Sequence, residues 1–205
     1  MVQISNRRSN RPAERLRRRS EARRLDILRA AARVFRRNGI AAAGMRDIAN
    51  EAELSPGNLY YYFDSKDELL LFCQERTLEH MLESVEAAKA NGATSTERLR
   101  SVLRAHVHAL LDELEGATAH LEVESLPDAV RAPVIRKRDR YERAVRALVS
   151  EGIARGEFAA CDAALVTRAM LGAVNWTARW YRPDGPQSAV EIADAIAEYL
   201  VKGLA

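Results

Sequence analysis

Glycine, proline and aromatic residues are scarce in this sequence of 205 residues, which contains 10 Gly, 6 Pro and 6% aromatic side chains. So few turn-forming residues argue against an all-β domain, in which turns recur every few residues. Alanine, leucine, arginine and glutamate are abundant instead, and these residues favour helices. The composition therefore predicts an all-α fold.

Cysteine is also scarce, and the two present, Cys73 and Cys161, lack the spacing of a metal or redox motif. Two cysteines in a helical chain are typical of a reduced, cytosolic protein. No apolar run approaches the roughly 18 residues of a membrane span. Residues 1–24 carry arginines where a secretory signal needs an apolar segment. We therefore expect a cytoplasmic protein that does not contact membranes.

Basic charge is concentrated at one end of the chain. Residues 1–24 contain nine arginines and two glutamates, although the formal net charge of the whole chain is only +3. A basic end on a mildly acidic body indicates contact with a polyanion such as nucleic acid, while charge alone leaves a solvated tail as the alternative. Residues 1–19 also lack apolar periodicity, which predicts a basic flexible arm.

From residue 20 onward, apolar residues recur at three- and four-residue steps, as in amphipathic helices. The predicted helices span residues 20–38, 45–52, 56–63, 67–90, 95–115, 120–126, 128–155, 162–181 and 188–201. Capping residues mark several helix ends, namely Asn38-Gly39, Ser55-Pro56, Ser65 with Glu68, Thr94 with Glu97, and Ser188 with Glu191.

Residues 45–63 place two short helices around a turn of three or four residues. This is the geometry of a helix-turn-helix, in which the second helix enters the major groove of DNA and the first braces it. Leu59 and Phe63 are expected in the core. A helix turns by about 100° per residue, so it cannot bury three adjacent tyrosines on one face. Residues 60–62 are therefore predicted to contact DNA rather than to form a hydrophobic plug.

Several of the residues suggested for the DNA contact have a chemical reason. Asn58 and Tyr61 have groups that reach base edges or phosphates, and the other tyrosine hydroxyls suit phosphates. Gly57 has no side chain and allows close approach of the backbone. The predicted DNA-binding residues are Arg46, Ser55, Gly57, Asn58, Tyr60, Tyr61, Tyr62 and Lys66.

The segments 45–49 (MRDIA) and 54–70 (LSPGNLYYYFDSKDELL), with Ala52 between them, resemble the signature of the TetR family of repressors. The resemblance covers residues 22–71. It implies a homodimer with two recognition helices in successive major grooves, and phosphate contacts by Tyr60 and Lys66. The sequence departs from the family at Gly44, where a Thr or Ser often caps the second helix and touches phosphate.

Three segments are expected, the first from its charge and lack of periodicity and the other two from the resemblance. Residues 1–19 are the basic arm, 20–66 the helix-turn-helix DNA-binding domain, and 67–205 the ligand-binding and dimerisation domain. The last two long helices, 162–181 and 188–201, are where such repressors usually dimerise as a four-helix bundle. Small and apolar residues suit that packing, namely Leu165, Ala169, Ala173, Ile192, Ala195, Ile196 and Tyr199.

A ligand site is suggested by residues 176–185, in which Trp176 and Trp180 share a helix face with Arg179 beside them. Such a tryptophan pair is more often core than a binding site. The segment nevertheless resembles TetR-family repressors that sense acyl-CoA thioesters of lipid, steroid or aromatic catabolism. An acyl-CoA needs an apolar slot and cations for its phosphates. We expect the cavity between helices 95–115, 128–155 and 162–181, with Trp176 on its wall and Arg179 near its mouth.

The leading hypothesis is thus a transcriptional repressor that leaves a palindromic operator when a small molecule binds. The alternative effector is a hydrophobic drug, with an efflux system as the regulated function. A helical enzyme with a DNA-binding arm lacks a convincing catalytic set, and no motif predicts a metal or cofactor site. A ligand-independent architectural DNA binder would leave the large C-terminal domain without a role.

Overall fold

The computed structural model describes residues 11–91, 94–111, 123 and 126–205. Within these residues the regular structure is helical, with no strand, which confirms the all-α prediction. The helices are α1 (Arg11–Asn38), α2 (Met45–Glu51), α3 (Pro56–Tyr60), α4 (Lys66–Ala90), α5 (Ser95–Leu111), α6 (Asp128–Ala154), α7 (Ala163–Trp180) and α8 (Ala189–Lys202). The predicted helix at 120–126 and the end of the one at 95–115 lie mostly outside the described residues.

The first helix begins earlier than the sequence pattern predicted. α1 starts at Arg11, so residues 11–19 are helical and the prediction of a flexible arm is wrong for them. Residues 14–20 are all exposed, and an exposed helix has no buried stripe and hence no apolar periodicity. Arginine, alanine, leucine and glutamate still favour the helix. Residues 1–10 lie outside the described residues.

Helix ends are closed by the predicted caps. Gly39 ends α1 with a left-handed φ of 76°, and its N–H donates to the carbonyl of Phe35 at 2.8 Å. The hydroxyl of Ser65 accepts from the N–H of Glu68 at 3.1 Å. The predicted capping boxes at Thr94 and Ser188 are also present. These local hydrogen bonds satisfy N–H and C=O groups that have no partner within the helix.

The first three helices form a small unit. α2 packs on both α1 and α3. The interior of this unit contains fully or almost fully buried apolar side chains from each helix and from the segment after α3: Ile27, Leu28, Val34, Phe35, Ile48, Leu59 and Phe63. The core positions predicted for Leu59 and Phe63 are therefore confirmed.

The remaining helices form a larger unit centred on α5, which packs against α4, α6, α7 and α8. The side chains that α5 and α6 bury include Leu99, Leu103, Val107, Leu110, Tyr141, Val145, Leu148 and Val149. α4 follows directly after the first unit and packs on α5 and α6 in the second, so it links the two.

Among the helices of the described residues, none combines the length and the apolar character that a membrane crossing requires.

Candidate nucleic-acid interface

The turn between α2 and α3 contains a residue in the left-handed conformation. The N–H groups of Glu53 and Leu54 donate to the carbonyls of Asn50 and Ala49, at 3.1 and 2.9 Å. Glu53 has a φ of 54°. This is a Schellman motif, which normally has glycine at the left-handed position. It ends α2 abruptly and lets α3 begin only a few residues later, as a helix-turn-helix requires.

The short helix α3 is anchored on one side and exposed on the other. Ser55 caps it by accepting a hydrogen bond from the N–H of Asn58 at 3.2 Å. Leu59 is completely buried, whereas Tyr60 is 49% exposed and Tyr61 is 81% exposed. Two aromatic side chains with hydroxyl groups are thus held in solvent by a helix that a single buried leucine anchors.

The other predicted contact residues vary in exposure. Gly57 and Arg46 are exposed, and a Cβ placed on Gly57 would meet no atom within 4 Å. Tyr62 is half-buried and packs edge-on against Tyr61, with ring centroids 5.1 Å apart. Tyr62 therefore supports Tyr61 sterically, and its own surface is less available to a partner. Gly44 provides no side-chain cap for α2, and the carboxylate of Asp47 accepts from the Gly44 N–H at 3.0 Å.

Lys66 has a structural contact that the sequence did not reveal. Its ammonium group donates to the carbonyls of Ile40, Ala41 and Ala43, at 3.0, 3.4 and 3.1 Å. A lysine ammonium has three N–H donors, so these bonds use all of them. In this structure Lys66 holds the loop between α1 and α2. It is thus a positioning residue for the helix-turn-helix, and a phosphate contact by Lys66 stays a prediction.

Arginines of α1, which sequence reasoning treated only as basic charge, hold the helix-turn-helix in place. The guanidinium of Arg24 lies over the rings of Phe63 and Phe72, at 4.5 and 4.4 Å from their centroids. It also lies 3.7 Å from a carboxylate oxygen of Glu68. Arg23 donates to the carbonyl of Ala52 at 3.3 Å, at the turn before α3. No local spacing would reveal these contacts, because the partners lie 29 to 48 positions away in the sequence.

A second arginine pair connects α1 to α2. Arg33 and Arg37 both donate to the carboxylate of Glu51, at 2.6 and 3.2 Å. These two hydrogen bonds, that from Arg33 first, hold the pKa of the Glu51 carboxyl below its ordinary value. Glu51 thus remains charged at neutral pH and supports the α1–α2 packing on which α3 rests.

The tryptophans of the C-terminal part lie on its outside. Trp176 is 64% exposed and Trp180 is 45% exposed, whereas Val174 and Thr177 of the same helix are buried. Trp176 on the wall of an internal cavity is therefore not what the structure shows, and the core alternative is wrong as well. Around Trp176, α7 has an exposed stripe of small and apolar residues: Leu165, Ala169, Gly172 and Ala173.

On α8 the exposed residues include Ala195 and Tyr199, the latter 78% exposed. Ile192 was predicted for the same surface, but it is buried and belongs to the core. Helical spacing identified the apolar face of α8, but it could not tell which edge of that face meets α5. We call the exposed residues Leu165, Ala169, Gly172, Ala173, Trp176, Trp180, Ala195 and Tyr199 the α7–α8 face.

Arg179 lines a pocket of about 250 Å³ between the end of α1 and the end of α7. Arg36 contributes from the last turn of α1, and Arg182 follows α7. The other lining residues are Leu110, Leu111, Ala178 and Tyr181. The pocket thus combines three guanidinium groups with an apolar floor, and its walls come from both units of the molecule.

The interior of the C-terminal unit contains a polar pair. The hydroxyl of Tyr141 and Nδ1 of His106 are 3.2 Å apart, and the two rings pack edge-on. Burial lowers the pKa of His106 to about 3 and raises that of Tyr141 above its ordinary value. Both groups are therefore neutral at physiological pH, which suits an apolar interior.

The fold and the exposed α3 define a class: an all-helical regulator that contacts DNA through an N-terminal helix-turn-helix. The family follows from sequence comparison. Residues 27–72 match the bacterial regulatory proteins of the tetR family, and residues 92–204 match the tetracyclin repressor-like C-terminal domain. The chain belongs to the TetR family of transcriptional regulators, which confirms the resemblance of residues 22–71.

Similar proteins cover almost the whole chain. The transcriptional repressor KstR2 of Mycobacterium tuberculosis is 27% identical over 186 residues, or 89% of this chain and 93% of KstR2. The solved structure of this ketosteroid regulator has a TM-score of 0.79 at 24% identity, covering 89% and 94% of the two chains. PfmR, a TetR family regulator from Thermus thermophilus, is 34% identical with a TM-score of 0.77, covering 87% and 98%.

A third solved structure, AibR in complex with isovaleryl coenzyme A and operator DNA, has the same fold. Its TM-score is 0.74 at 23% identity, and the match covers 89% of this chain and 97% of AibR.

Proposed function

We propose that this protein is a repressor that binds a palindromic operator as a homodimer and leaves it when an acyl-CoA thioester of lipid, steroid or aromatic catabolism binds. The observation that carries the effector assignment is the arginine-lined pocket between α1 and α7. The exposed residues of α3 and of the α7–α8 face support the DNA and dimer assignments.

The proposed DNA contact is made by α3. Asn58, Tyr60 and Tyr61 are exposed, and the backbone at Gly57 faces open space. Side chains of this kind donate to phosphates and to base edges in the major groove. Arg46 extends the contact from α2, and Ser55 supports it as the cap of α3. Lys66 contributes by holding the loop before α2.

The proposed dimer forms through the α7–α8 face. Large apolar side chains such as Leu165, Trp176 and Tyr199 are exposed there together. A contiguous apolar patch on a protein surface usually marks an interface. A Cβ on Gly172 would also meet no atom within 4 Å, so a partner helix has room to approach α7 closely. A two-fold dimer presents two copies of α3 and therefore fits an inverted-repeat operator.

The pocket has the chemistry of a site for an anionic amphiphile. Arg36, Arg179 and Arg182 provide bidentate donors of the kind that bind phosphates, while Leu110 and Leu111 provide apolar surface. Its volume of about 250 Å³ suits the phosphate-bearing end of a CoA ester rather than the whole molecule. AibR, a protein of the same fold, binds isovaleryl coenzyme A, and KstR2 is a ketosteroid regulator.

Release from DNA follows from where the pocket lies. Arg36 belongs to α1, which supports the helix-turn-helix, whereas Arg179 belongs to α7. An anion bound by both changes the spacing between the two units. It releases DNA only if the ligand binds more tightly to the arrangement that does not fit the operator. Operator binding must then weaken ligand binding by the same factor.

The test is a titration of the operator complex with CoA esters and with the matching free acids, followed by fluorescence anisotropy of labelled DNA. We expect a CoA ester to dissociate the complex. The double variant Arg179→Gln/Arg182→Gln should need at least tenfold more ligand, because a hydrogen bond to a charged group contributes about 1.5–3 kcal/mol. The double variant Arg146→Gln/Arg155→Gln, with one residue in α6 and one just after it, both outside the pocket lining, removes the same charge and is the matched control.

The outcomes separate the competing effectors. Equal release by an ester and its free acid would mean that the CoA moiety is not recognised. If no ester releases DNA and hydrophobic cationic drugs do, the protein is the efflux-type repressor that the sequence left as the alternative.

A further inference from the structure

α1 is longer than the helix-turn-helix unit requires. Its buried residues begin at Ile27, and the match to the tetR family N-terminal domain also begins at residue 27. The helix nevertheless continues back to Arg11. An α-helix rises 1.5 Å per residue, so the segment from Arg23 back to Arg11 extends about 18 Å.

Contacts at Arg23 and Arg24 show where this extension starts. Arg23 donates to the carbonyl of Ala52, the C-cap residue of α2, and Arg24 is held between Phe63 and Phe72. α1 therefore passes beside the turn that leads into α3. The N-terminal part of α1 leaves the protein body next to the start of the proposed recognition helix.

One side of the extension is a row of arginines. Arg15, Arg19 and Arg23 are spaced four residues apart, and such residues are neighbours on a helix surface. Arg15 and Arg19 are exposed, and neither makes an ion pair or hydrogen bond within the part of the chain that the structure describes. Arg18, beside this row, differs because it pairs with Glu14 at 2.9 Å.

Such a row is unfavourable without a partner. Like charges four residues apart destabilise an isolated helix by about 0.2–0.5 kcal/mol per pair. The phosphates of DNA neutralise such charges and release counterions when they do so. We propose that Arg15 and Arg19 form a second DNA contact, on the phosphates that flank the bases contacted by α3. This proposal rests on operator binding by α3, as proposed above.

The contact predicts a specific salt dependence. Each phosphate contact contributes a slope of about −0.9 to the logarithm of affinity against the logarithm of salt concentration. The double variant Arg15→Gln/Arg19→Gln should therefore flatten this slope by about 1.8 per protomer. Glutamine favours helices nearly as well as arginine, so the helix should persist. The ratio of affinities for operator and scrambled DNA should stay unchanged.

A matched control removes the same charge outside the row, at Arg17 on the far side of the helix and at Arg18, which already pairs with Glu14. Arg17→Gln/Arg18→Gln should leave the slope close to that of the wild-type protein. Hydrogen exchange adds a second measurement: amides of residues 11–22 should exchange more slowly when DNA is bound. Circular dichroism of each variant checks that its helical content is retained.

The proposal is wrong if the Arg15/Arg19 variant keeps the wild-type slope, or if the Arg17/Arg18 variant flattens it equally. The second result would indicate a diffuse charge effect. A wild-type protein that shows no preference for operator over scrambled DNA would instead contradict operator binding by α3. The two failures are therefore distinguishable.

Discussion

The N-terminal and C-terminal units both expose aromatic side chains, but with different neighbours. On α3 and at its C-cap, Tyr60 and Tyr61 accompany Asn58 and the open backbone at Gly57. On α7, Trp176 and Trp180 accompany aliphatic and small residues. Tyrosine hydroxyls form hydrogen bonds with a charged, hydrated partner such as DNA. The indole rings of tryptophan are instead buried most favourably against another apolar surface. The same kind of exposure thus indicates two kinds of partner.

The interiors of the two units differ in polarity in the opposite direction from their surfaces. The core of the N-terminal unit is apolar, with Ile27, Leu59 and Phe63 fully buried. The C-terminal unit buries His106 and Tyr141 as a polar pair. Surface and interior can therefore be perturbed separately in each unit by substitution.

The largest effect is expected on the α7–α8 face. Leu165→Ala/Trp176→Ala should weaken the dimer by about 1,000-fold or more. An interface residue of this kind contributes about 1–2 kcal/mol, and each of the two residues occurs twice in a symmetric dimer, so at least about 4 kcal/mol is lost. Analytical ultracentrifugation measures the dissociation constant. Ile135→Ala, at an exposed apolar residue of α6, should leave it unchanged. A fully dimeric double variant would show that this face is not the interface.

The next effect concerns α3. Tyr61→Ala should reduce operator affinity by about 10- to 100-fold, because a lost base contact costs about 1–3 kcal/mol. Asn58→Ala should likewise change sequence preference, whereas Tyr60→Phe should weaken all operator variants similarly. Anisotropy titrations against operator and scrambled DNA measure both quantities. Unchanged selectivity in Tyr61→Ala would remove Tyr61 from sequence recognition.

A smaller effect is expected from the buried histidine. Burial lowers the pKa of His106 to about 3, from an ordinary value of 6.5. Below pH 6.5 the unfolded chain binds a proton that the folded protein excludes, so stability falls as the pH falls towards 3. The slope is about 1.4 kcal/mol per pH unit, or roughly 2 kcal/mol between pH 6.5 and 5.

Urea unfolding of wild type and His106→Gln at pH 7.5, 6.5 and 5.5 isolates this contribution. The variant should lose less stability than the wild type over that range. His108→Gln, a control on the other side of α5, should follow the wild type. Parallel pH profiles of wild type and His106→Gln would contradict the assignment of a buried, neutral His106.

The smallest effect concerns the turn of the helix-turn-helix. Glu53 has a positive φ, which costs a non-glycine residue about 1–2 kcal/mol, whereas glycine adopts it freely. Glycine loses more backbone entropy, so Glu53→Gly should stabilise the protein by only about 0.5–1 kcal/mol. Glu53→Val should destabilise it. The midpoint of urea unfolding distinguishes the two variants. A Glu53→Gly variant less stable than the wild type would contradict backbone strain at Glu53.

Much of the molecule was predictable from short stretches of sequence. The positions of most helices after the first, the caps at Ser55, Ser65 and Ser188, and the buried Leu59 agree with the structure, although α3 ends at Tyr60, three residues before the predicted end. Capping bonds join residues three or four positions apart, and helical periodicity involves the same distances. The TetR family assignment depends on one continuous segment, residues 22–71, so the sequence alone was sufficient for it.

The site residues were predicted less evenly. Exposure of Tyr60 and Tyr61 followed from the geometry of consecutive residues on a helix. Arg179 lines a pocket, although one between α1 and α7 rather than the mouth of an internal cavity. The unexpected start of α1 has a local cause: exposed helical residues leave no apolar pattern.

Local sequence patterns therefore determined where the helices form and where they end. The hydrogen bonds that form and cap a helix join residues close to one another in the sequence. Which face of α7 points outward depends on α5 and α6, distant in sequence, so Trp176 could not be placed from its own segment. Lys66 is a similar case, since its three carbonyl partners lie 23 to 26 positions earlier in the chain. Only the packing of distant segments determines whether a charge meets a carbonyl, another side chain or solvent.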